Sequence, residues 1–582
     1  MNQIGKYSSE RNVQMLIYLL KQHQIRKVIA SPGTTNINFV ASVQFDDYFQ
    51  VYSCVDERSA AYMACGMAEE SGEPVVLTCT GATASRNYVP GLTEAYYRKI
   101  PVLAVTATQH LGRVGQNMQQ VLDRSMQMKD LVNYSMQLTT IHSQEDEWAA
   151  GVRINEALLE LRHNGGGPVH INLETQYSQD FSEKELKPVK VIRRYCSGDE
   201  MPAMNAAKVG VFVGNHSKWS AALTKAVDTF CRKYNAVVFT DNTSNYRGKY
   251  NVLAPLMASQ DLCAFDETAV DLLIDIGNIT GASIEIRSNE IWRVNPDGVI
   301  RDTYKKLTKV FQMEEAVFFN YYAGTDSNNK SSGFLQKCKD VQNMLYNNIG
   351  DLPFSNVWIA QQTASKIPAN SIIHFGILNS LRAWNFFEIP ESVLGYSNTG
   401  GFGIDGNVSS LIGASLTQPE ILHFGIVGDL AFFYDINSLG NRHVGNNVRI
   451  MLINNGRGTE FRNYNHPAER FGKDADAYMA AAGHFGKKSN RLIRHYAEDL
   501  GYEYLSADSK DSYLKNIDRF LTPQITDKPM LFEIFTDSKD ESDAIYMMRH
   551  LAVSKKSEAK QVVKKVLGQK GISVVKKLIG RE

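Results

Sequence analysis

Long hydrophobic runs are missing from this sequence of 582 residues. With no stretch of about 18 apolar residues, no segment is expected to span a membrane as a helix. A surplus of one charge is missing too: 62 Lys and Arg face 62 Asp and Glu. That balance points away from nucleic acid as a partner of the whole chain. Cysteine is sparse. The seven residues, Cys54, Cys65, Cys79, Cys196, Cys231, Cys263 and Cys338, form no C-x-x-C pair, and their number is odd. A disulfide framework or a cysteine zinc site is therefore not expected, and a reduced, cytoplasmic setting is. The opening MNQIGKYSSE lacks an apolar core, so it does not read as a signal peptide.

What is present is a repeated alternation of strands and helices. A first block, 1–190, has predicted strands at Lys27–Ala30 and within EPVVLTCTGATAS, IPVLAVTATQ and GPVHINLE. A second, 191–345, opens with the composition shift at SGDEMPAMNA. Its strands lie in KVGVFVGN, NAVVFTDN, AVDLLIDIGN and NEIWRVNPDG, and AGTDSNNKSSG reads as a linker or loop. A third, 346–554, has predicted strands at Ser371–Phe375, His423–Val427, Val448–Ile453 and Met530–Ile534. This rhythm predicts an α/β fold of three doubly wound parallel-sheet domains. From 555 to 582 the composition changes: nine basic residues against two acidic ones, with Val562, Val563, Val566 and Leu567 at helical spacing. Such a basic amphipathic tail either docks on its own protein or a neighbouring subunit, or binds an anionic membrane surface.

The stretch GIVGDLAFFYDINSLGNRHVGNNVRIMLINNGRGTEF carries the chemistry. One strand ends in Gly428-Asp429. A second ends 25 residues later in Asn454-Asn455 and a Gly-rich turn. In a parallel sheet both ends lie on one edge, where ligands bind. A carboxylate, an amide oxygen and a backbone carbonyl suit Mg²⁺, which combines a few protein oxygens with phosphate oxygens. The glycines let the backbone approach a diphosphate. Upstream, VDERSAAYMACGMA sets Asp56 and Glu57 at the start of a helix of small residues. Alone, that reads equally as carboxylates suited to a helix dipole or as a buried catalytic acid.

Taken together these stretches resemble the signature of thiamine diphosphate enzymes. SPGTTN, VDERSAA, EAYY, SNTGGFGIDG and GDLAFFYDIN are most similar to one branch, the menaquinone-pathway synthases, which join a unit derived from 2-oxoglutarate to isochorismate. The resemblance implies a pyrimidine-binding domain over 1–190, a middle domain over 191–345 without cofactor contacts, and a diphosphate-binding domain over 346–554. It also implies a homodimer or homotetramer with the cofactor between subunits. Glu57 would activate the cofactor by hydrogen-bonding its aminopyrimidine. Asp429, Asn455 and the Arg457 carbonyl would hold Mg²⁺. Ile404 would keep the cofactor bent, and Asn379, Ser380, Gly428 and Leu430 would approach it.

The sequence departs from that branch at its substrate arginines. S-P-G-S-R becomes SPGTT, with Thr35; S-N-R-G becomes SNTG, with Thr399; T-A-D-R becomes TATQ, with Gln109. The arginine after N-S-L falls at Trp384, with Arg382 two positions earlier. Arginine grips carboxylates through two parallel hydrogen bonds. Its loss predicts a lyase or transferase with a less anionic substrate pair: a 2-oxo acid donor, pyruvate foremost, and a carbonyl acceptor such as a keto-sugar nucleotide stacked on Trp384. Asn117 joins Thr35, Gln109, Trp384 and Thr399 as a substrate residue, and His110, Arg462 and His466 lie near the same loops. Two other readings stand beside this one. The first is the synthase itself with a rearranged pocket. The second is a peripheral-membrane oxidase, for which the middle block offers no flavin signature.

Overall fold

The structure is a computed structural model that describes residues 6–282, 284–324, 333–484 and 488–554. The basic tail at 555–582, and most of the polar segment expected as a linker, lie outside the described residues. Contacts divide the chain into two compact units, 1–201 with 297–312, and 202–296 with 313–582. Among the described residues no helix is long and apolar enough to cross a membrane.

The first unit is built on a six-stranded parallel sheet: β1 (Lys27–Ala30), β2 (Gln50–Ser53), β3 (Val75–Cys79), β4 (Val102–Thr108), β5 (Tyr134–Leu138) and β6 (Val169–Glu174), in the order β2-β1-β3-β4-β6-β5. Successive side chains point to opposite faces. Val28, Val76, Leu103 and Val105 therefore join one core, with Leu16, Leu20 and Ile154 from the helices Arg11–Gln22 and Gln144–Glu160. Ile29, Val75, Leu77, Val102 and Ala104 join the other, with Ala60, Ala64, Ala68 and Leu92 from the helices Glu57–Ser71 and Val89–Tyr97. Burial on both faces is why β3 and β4 read as unbroken apolar runs. Later in this unit β7 (Arg193–Cys196) pairs in parallel with Leu307–Gln312.

The second unit carries two parallel sheets. One has strands β8 (Val209–Val213), β9 (Val237–Thr240), β10 (Asn251–Leu253), β11 (Ala269–Ile276) and β12 (Arg287–Val294), ordered β10-β9-β8-β11-β12 within this unit. Leu307–Gln312 is β13 in chain order. The last sheet has β14 (Ile372–Phe375), β15 (Leu394–Tyr396), β16 (His423–Gly428), β17 (Val448–Asn454), β18 (Glu503–Ala507) and β19 (Met530–Phe535), in the order β15-β14-β16-β17-β19-β18. Side chains tie its neighbourhood to the preceding sheet. Asn245 Oδ1 accepts from the Gly395 amide at 2.9 Å, and the Asn242 amide donates to Asn385 Oδ1 at 2.8 Å. The central pair β16–β17 is in register from His423↔Val448 to Gly428↔Ile453. That register sets the ends of the two strands side by side.

Candidate active site

At the carboxyl edge of the last sheet the chain leaves β16 at Gly428 and enters a helix at Asp429. Asp429 is 4% exposed. Its Oδ1 accepts from the Leu430 amide at 2.7 Å and its Oδ2 from the Gly456 amide at 2.5 Å. The second bond closes the turn that follows β17. Gly456 sits at φ 74, a left-handed conformation that glycine adopts without a steric penalty. Asn455 thus lies beside Asp429, and its buried Oδ1 has no hydrogen-bond partner. Burial pushes the Asp429 carboxyl up to about 6, while the amides of Leu430, Gly456, Arg457 and Asn455 pull it down.

Two more carboxyls are buried near it, and the sequence reading missed both. Glu533, on β19, accepts from Asn454 Nδ2 at 2.7 Å and Tyr504 Oη at 2.8 Å. Glu541 accepts from the Asn356 amide and from Thr536 Oγ1. Burial raises both, Glu541 to about 7, and the charge of Asp429 raises them further. The available signal was an acid inside the apolar run MLFEIF. An orphaned amide oxygen beside a buried carboxylate is a donor set that suits a cation. Among the described residues no three His, Cys, Asp or Glu side chains converge as a metal site. The carboxylate and the amide oxygen found here fit a hard cation that keeps other oxygen ligands.

In the first unit Glu57 is the first residue of its helix. Asp56 caps that helix by accepting from the Ser59 amide at 2.7 Å. A Cβ at Gly91 would lie 2.4 Å from Ala61 Cβ, so only small residues let this helix and Val89–Tyr97 approach so closely. Glu57 is half-buried, not buried as a catalytic acid was expected to be. Its Oε2 accepts from Asn87 Nδ2 at 3.4 Å. The reason lies in its surroundings. Neighbouring β2 is exposed at every residue, and Tyr52, Val55, Tyr62 and Met63 are large apolar side chains open to solvent.

Residues 11–128 match the family model described as thiamine pyrophosphate enzyme, N-terminal TPP binding domain. The chain is a thiamine diphosphate enzyme. Its family works with that cofactor together with Mg²⁺. Over 566 residues the enzyme is 28% identical to the 2-succinyl-5-enolpyruvyl-6-hydroxy-3-cyclohexene-1-carboxylate synthase of Phocaeicola vulgatus, spanning 94% of this chain and 99% of that one. The synthase of the same name from Bacteroides fragilis is also 28% identical, over 92% of this chain and 98% of its own. A solved structure, the thiamine diphosphate-dependent 4-hydroxybenzoylformate decarboxylase of Rhodococcus jostii, is similar at 16% identity with a TM-score of 0.39, covering 90% of this chain and 99% of that one.

The remaining sequence-derived residues of the enzyme scatter more widely. Ser380 is buried, Asn379 and Leu430 are half-buried, and Ile404 is half-buried with its carbonyl accepting from Asn407 Nδ2 at 2.9 Å. Asn379 is better placed with its amide turned, donating to Glu460 and accepting from the Glu460 amide. Thr35 is buried. Its hydroxyl meets Thr80 Oγ1 at 2.7 Å and the Ala107 carbonyl at 3.2 Å, and accepts from the Gly81 amide. It pins two loops to the end of β4 at the carboxyl edge of the first sheet. Thr399 is buried against Gly281. Gln109 bonds Arg113, and Asn117 is exposed at φ 53. Exposed His110 accepts from the Gly112 amide, and His466 accepts from the Ala468 amide. Arg382 and Arg462 are engaged by acids: Arg382 by Glu460 at 2.5 Å, and Arg462 by Asp476 at 3.4 Å.

Trp384 requires a correction. It is fully buried, packs on Phe375 and donates from Nε1 to Asn356 Oδ1 at 3.1 Å. Neither face is open, so it does not stack on a substrate ring. The expectation failed because a one-residue reading of a short helix cannot tell its core face from its ligand face. Trp384→Ala is therefore expected to cost roughly 3–5 kcal/mol of stability. The thermal midpoint should fall while KM for the donor stays nearly constant. A large rise in KM with an unchanged midpoint would restore the stacking role.

Proposed function

We propose that this enzyme is a carboligase that decarboxylates a 2-oxo acid and joins the remaining unit to a second substrate, in the manner that the names of its synthase relatives describe. In this reading Asp429, Asn455 Oδ1 and the Arg457 carbonyl bind Mg²⁺, and Asn379, Ser380, Ile404, Gly428 and Leu430 line the cofactor. Thiamine diphosphate, when bound, supplies a nucleophilic carbon and the electron sink that loss of CO₂ needs. Glu57, whose carboxylate accepts from Asn87, is the group that exchanges a proton with the aminopyrimidine. The observation that carries the reading is the unpartnered Asn455 Oδ1 beside buried Asp429.

A second reading, a small donor such as pyruvate with a neutral carbonyl acceptor, is favoured by one specific feature. Thr35, Gln109 and Thr399 bring no charge, and a carboxylate placed in a dry pocket without a partner costs several kcal/mol. One assay separates the two. With Mg²⁺ and thiamine diphosphate, isochorismate consumption with 2-oxoglutarate is expected under the first reading. CO₂ release from pyruvate at about tenfold higher kcat/KM, with no isochorismate consumed, would replace it with the second.

The apolar surface around Glu57 fits a homo-oligomer in which Glu57 of one copy and Asp429 of another serve one cofactor. Val55 alone is 75% exposed there, and side chains of this type on a soluble surface mark contact sites. Sedimentation is expected to find the active species as a dimer or larger. An active monomer at assay concentration would contradict the shared site.

A further inference from the structure

A cavity of about 180 Å³ lies within the second unit, lined among others by Arg382, Asn385, Glu460, Asn463, His466 and Arg549. None of the residues assigned above to metal or cofactor lines it. Its walls come from four places in the unit: Pro255, Ser259 and Ala282 of the part that holds β8–β12, the segment 382–386, the segment 460–466, and Ile545 and Arg549 of the last helix. Polar ties fix these walls. Gln260 Nε2 donates to the Met548 carbonyl at 2.8 Å, and Arg549 is paired with Asp261 at 2.6 Å.

Two donors in this wall have no acceptor. Asn385 is completely buried. Its Oδ1 is taken by the Asn242 amide, and its Nδ2 has no partner. Arg382 spends Nη1 on Glu460, and its buried Nε has no partner. A buried donor left unmet destabilises the fold, so a lining that keeps two of them around a cavity is shaped for an acceptor. Both guanidiniums of the lining are already paired with an acid, Arg382 with Glu460 and Arg549 with Asp261, so the ligand class rests on the free donors and not on surplus charge. Glu460 in the same wall opposes a dianion such as phosphate. The planar N–H edge of arginine and an amide NH₂ match the two oxygens of a carboxylate. The volume corresponds to roughly six waters at about 30 Å³ each, room for a short organic acid.

We propose that this cavity is a binding site for a small monocarboxylate, held by the two unmet donors, Arg382 Nε and Asn385 Nδ2. The test titrates propionate, and separately inorganic phosphate, into the full-length protein without cofactor and follows the heat. Propionate is expected to bind once per chain in the millimolar range or tighter. Asn385→Asp keeps the acceptor for the Asn242 amide and puts a negative oxygen where the free donor was. It is expected to weaken propionate by at least about tenfold, and Arg382→Lys, which lacks the Nε donor, by a similar factor. Should Asn385→Asp not fold, Arg382→Lys decides alone. Absence of saturable propionate binding would overturn the site, and so would an affinity unmoved in the folded variants, which would place the propionate elsewhere. Phosphate binding without propionate binding would overturn the ligand class. No outcome depends on turnover, so a failure here is distinct from a failure of the proposed reaction.

Discussion

Glu57→Gln is expected to leave the fold and cofactor affinity intact and to lower turnover by about 10²–10⁴-fold, the range in which a positioned acid or base contributes. The argument starts from shape. Glutamine has the size of glutamate, and its Oε1 can still accept from Asn87, so neither the Asp56 cap nor the Ala61–Gly91 contact is disturbed. What is lost is the ability to take and return a proton. A role in packing or in helix-dipole compensation would give a different result. Removing one charge from a first helical turn changes stability by roughly 0.3–1 kcal/mol and leaves chemistry alone. The discriminating pair of measurements is therefore the unfolding midpoint and the decarboxylation rate. Near-normal CO₂ release by the variant would end the assignment of Glu57.

The parts of the fold that were legible in the sequence, and the parts that were not, follow burial. Lys27–Ala30 was read with both its ends right, and β14, β16, β17 and β19 each within one residue at either end. These strands, like β3 and β4, lie inside their sheets. Buried on both faces, they show as short apolar runs. The strands left unread in the first and last sheets are β2, β5, β15 and β18, and these are the edges. QVYS is exposed along its whole length, and EYLSA buries only its last residue. An edge strand needs no continuous apolar run and so leaves no such signal. The site divides the same way. Gly428-Asp429 and Asn454-Asn455 were legible because strand ends and glycines are local features. Glu533 and Glu541 were not, because nothing local sets a buried acid apart from a solvated one. Trp384 was misread for the same reason: its partner, Asn356, is 28 residues away in the chain.

Asp429→Ala is expected to weaken Mg²⁺-dependent binding of thiamine diphosphate by at least about a hundredfold, some 2.7 kcal/mol. The carboxylate is the only formal charge in the proposed ligand set, and a diphosphate brought against Glu533 and Glu541 without a bridging cation meets two more acids in a buried setting. The variant also leaves the amides of Leu430 and Gly456 without their acceptor, a cost to the loop of roughly 1–3 kcal/mol for each buried group. Loss of affinity could then arise from a collapsed turn and not from a missing ligand. Asp429→Asn separates the two causes. Its amide oxygen can still accept from one of the amides, so the turn is largely kept, yet the charge is gone. If charge on the metal is what counts, Asn and Ala lose affinity alike. If the turn is what counts, Asn stays close to the parent. Chelation of Mg²⁺ from the unmodified enzyme supplies the reference, because it removes the cation and leaves the loop's own bonds untouched. Calorimetry that gives the same loss for chelation, Asn and Ala places Asp429 on the metal. Unchanged cofactor affinity in both variants removes it from the site.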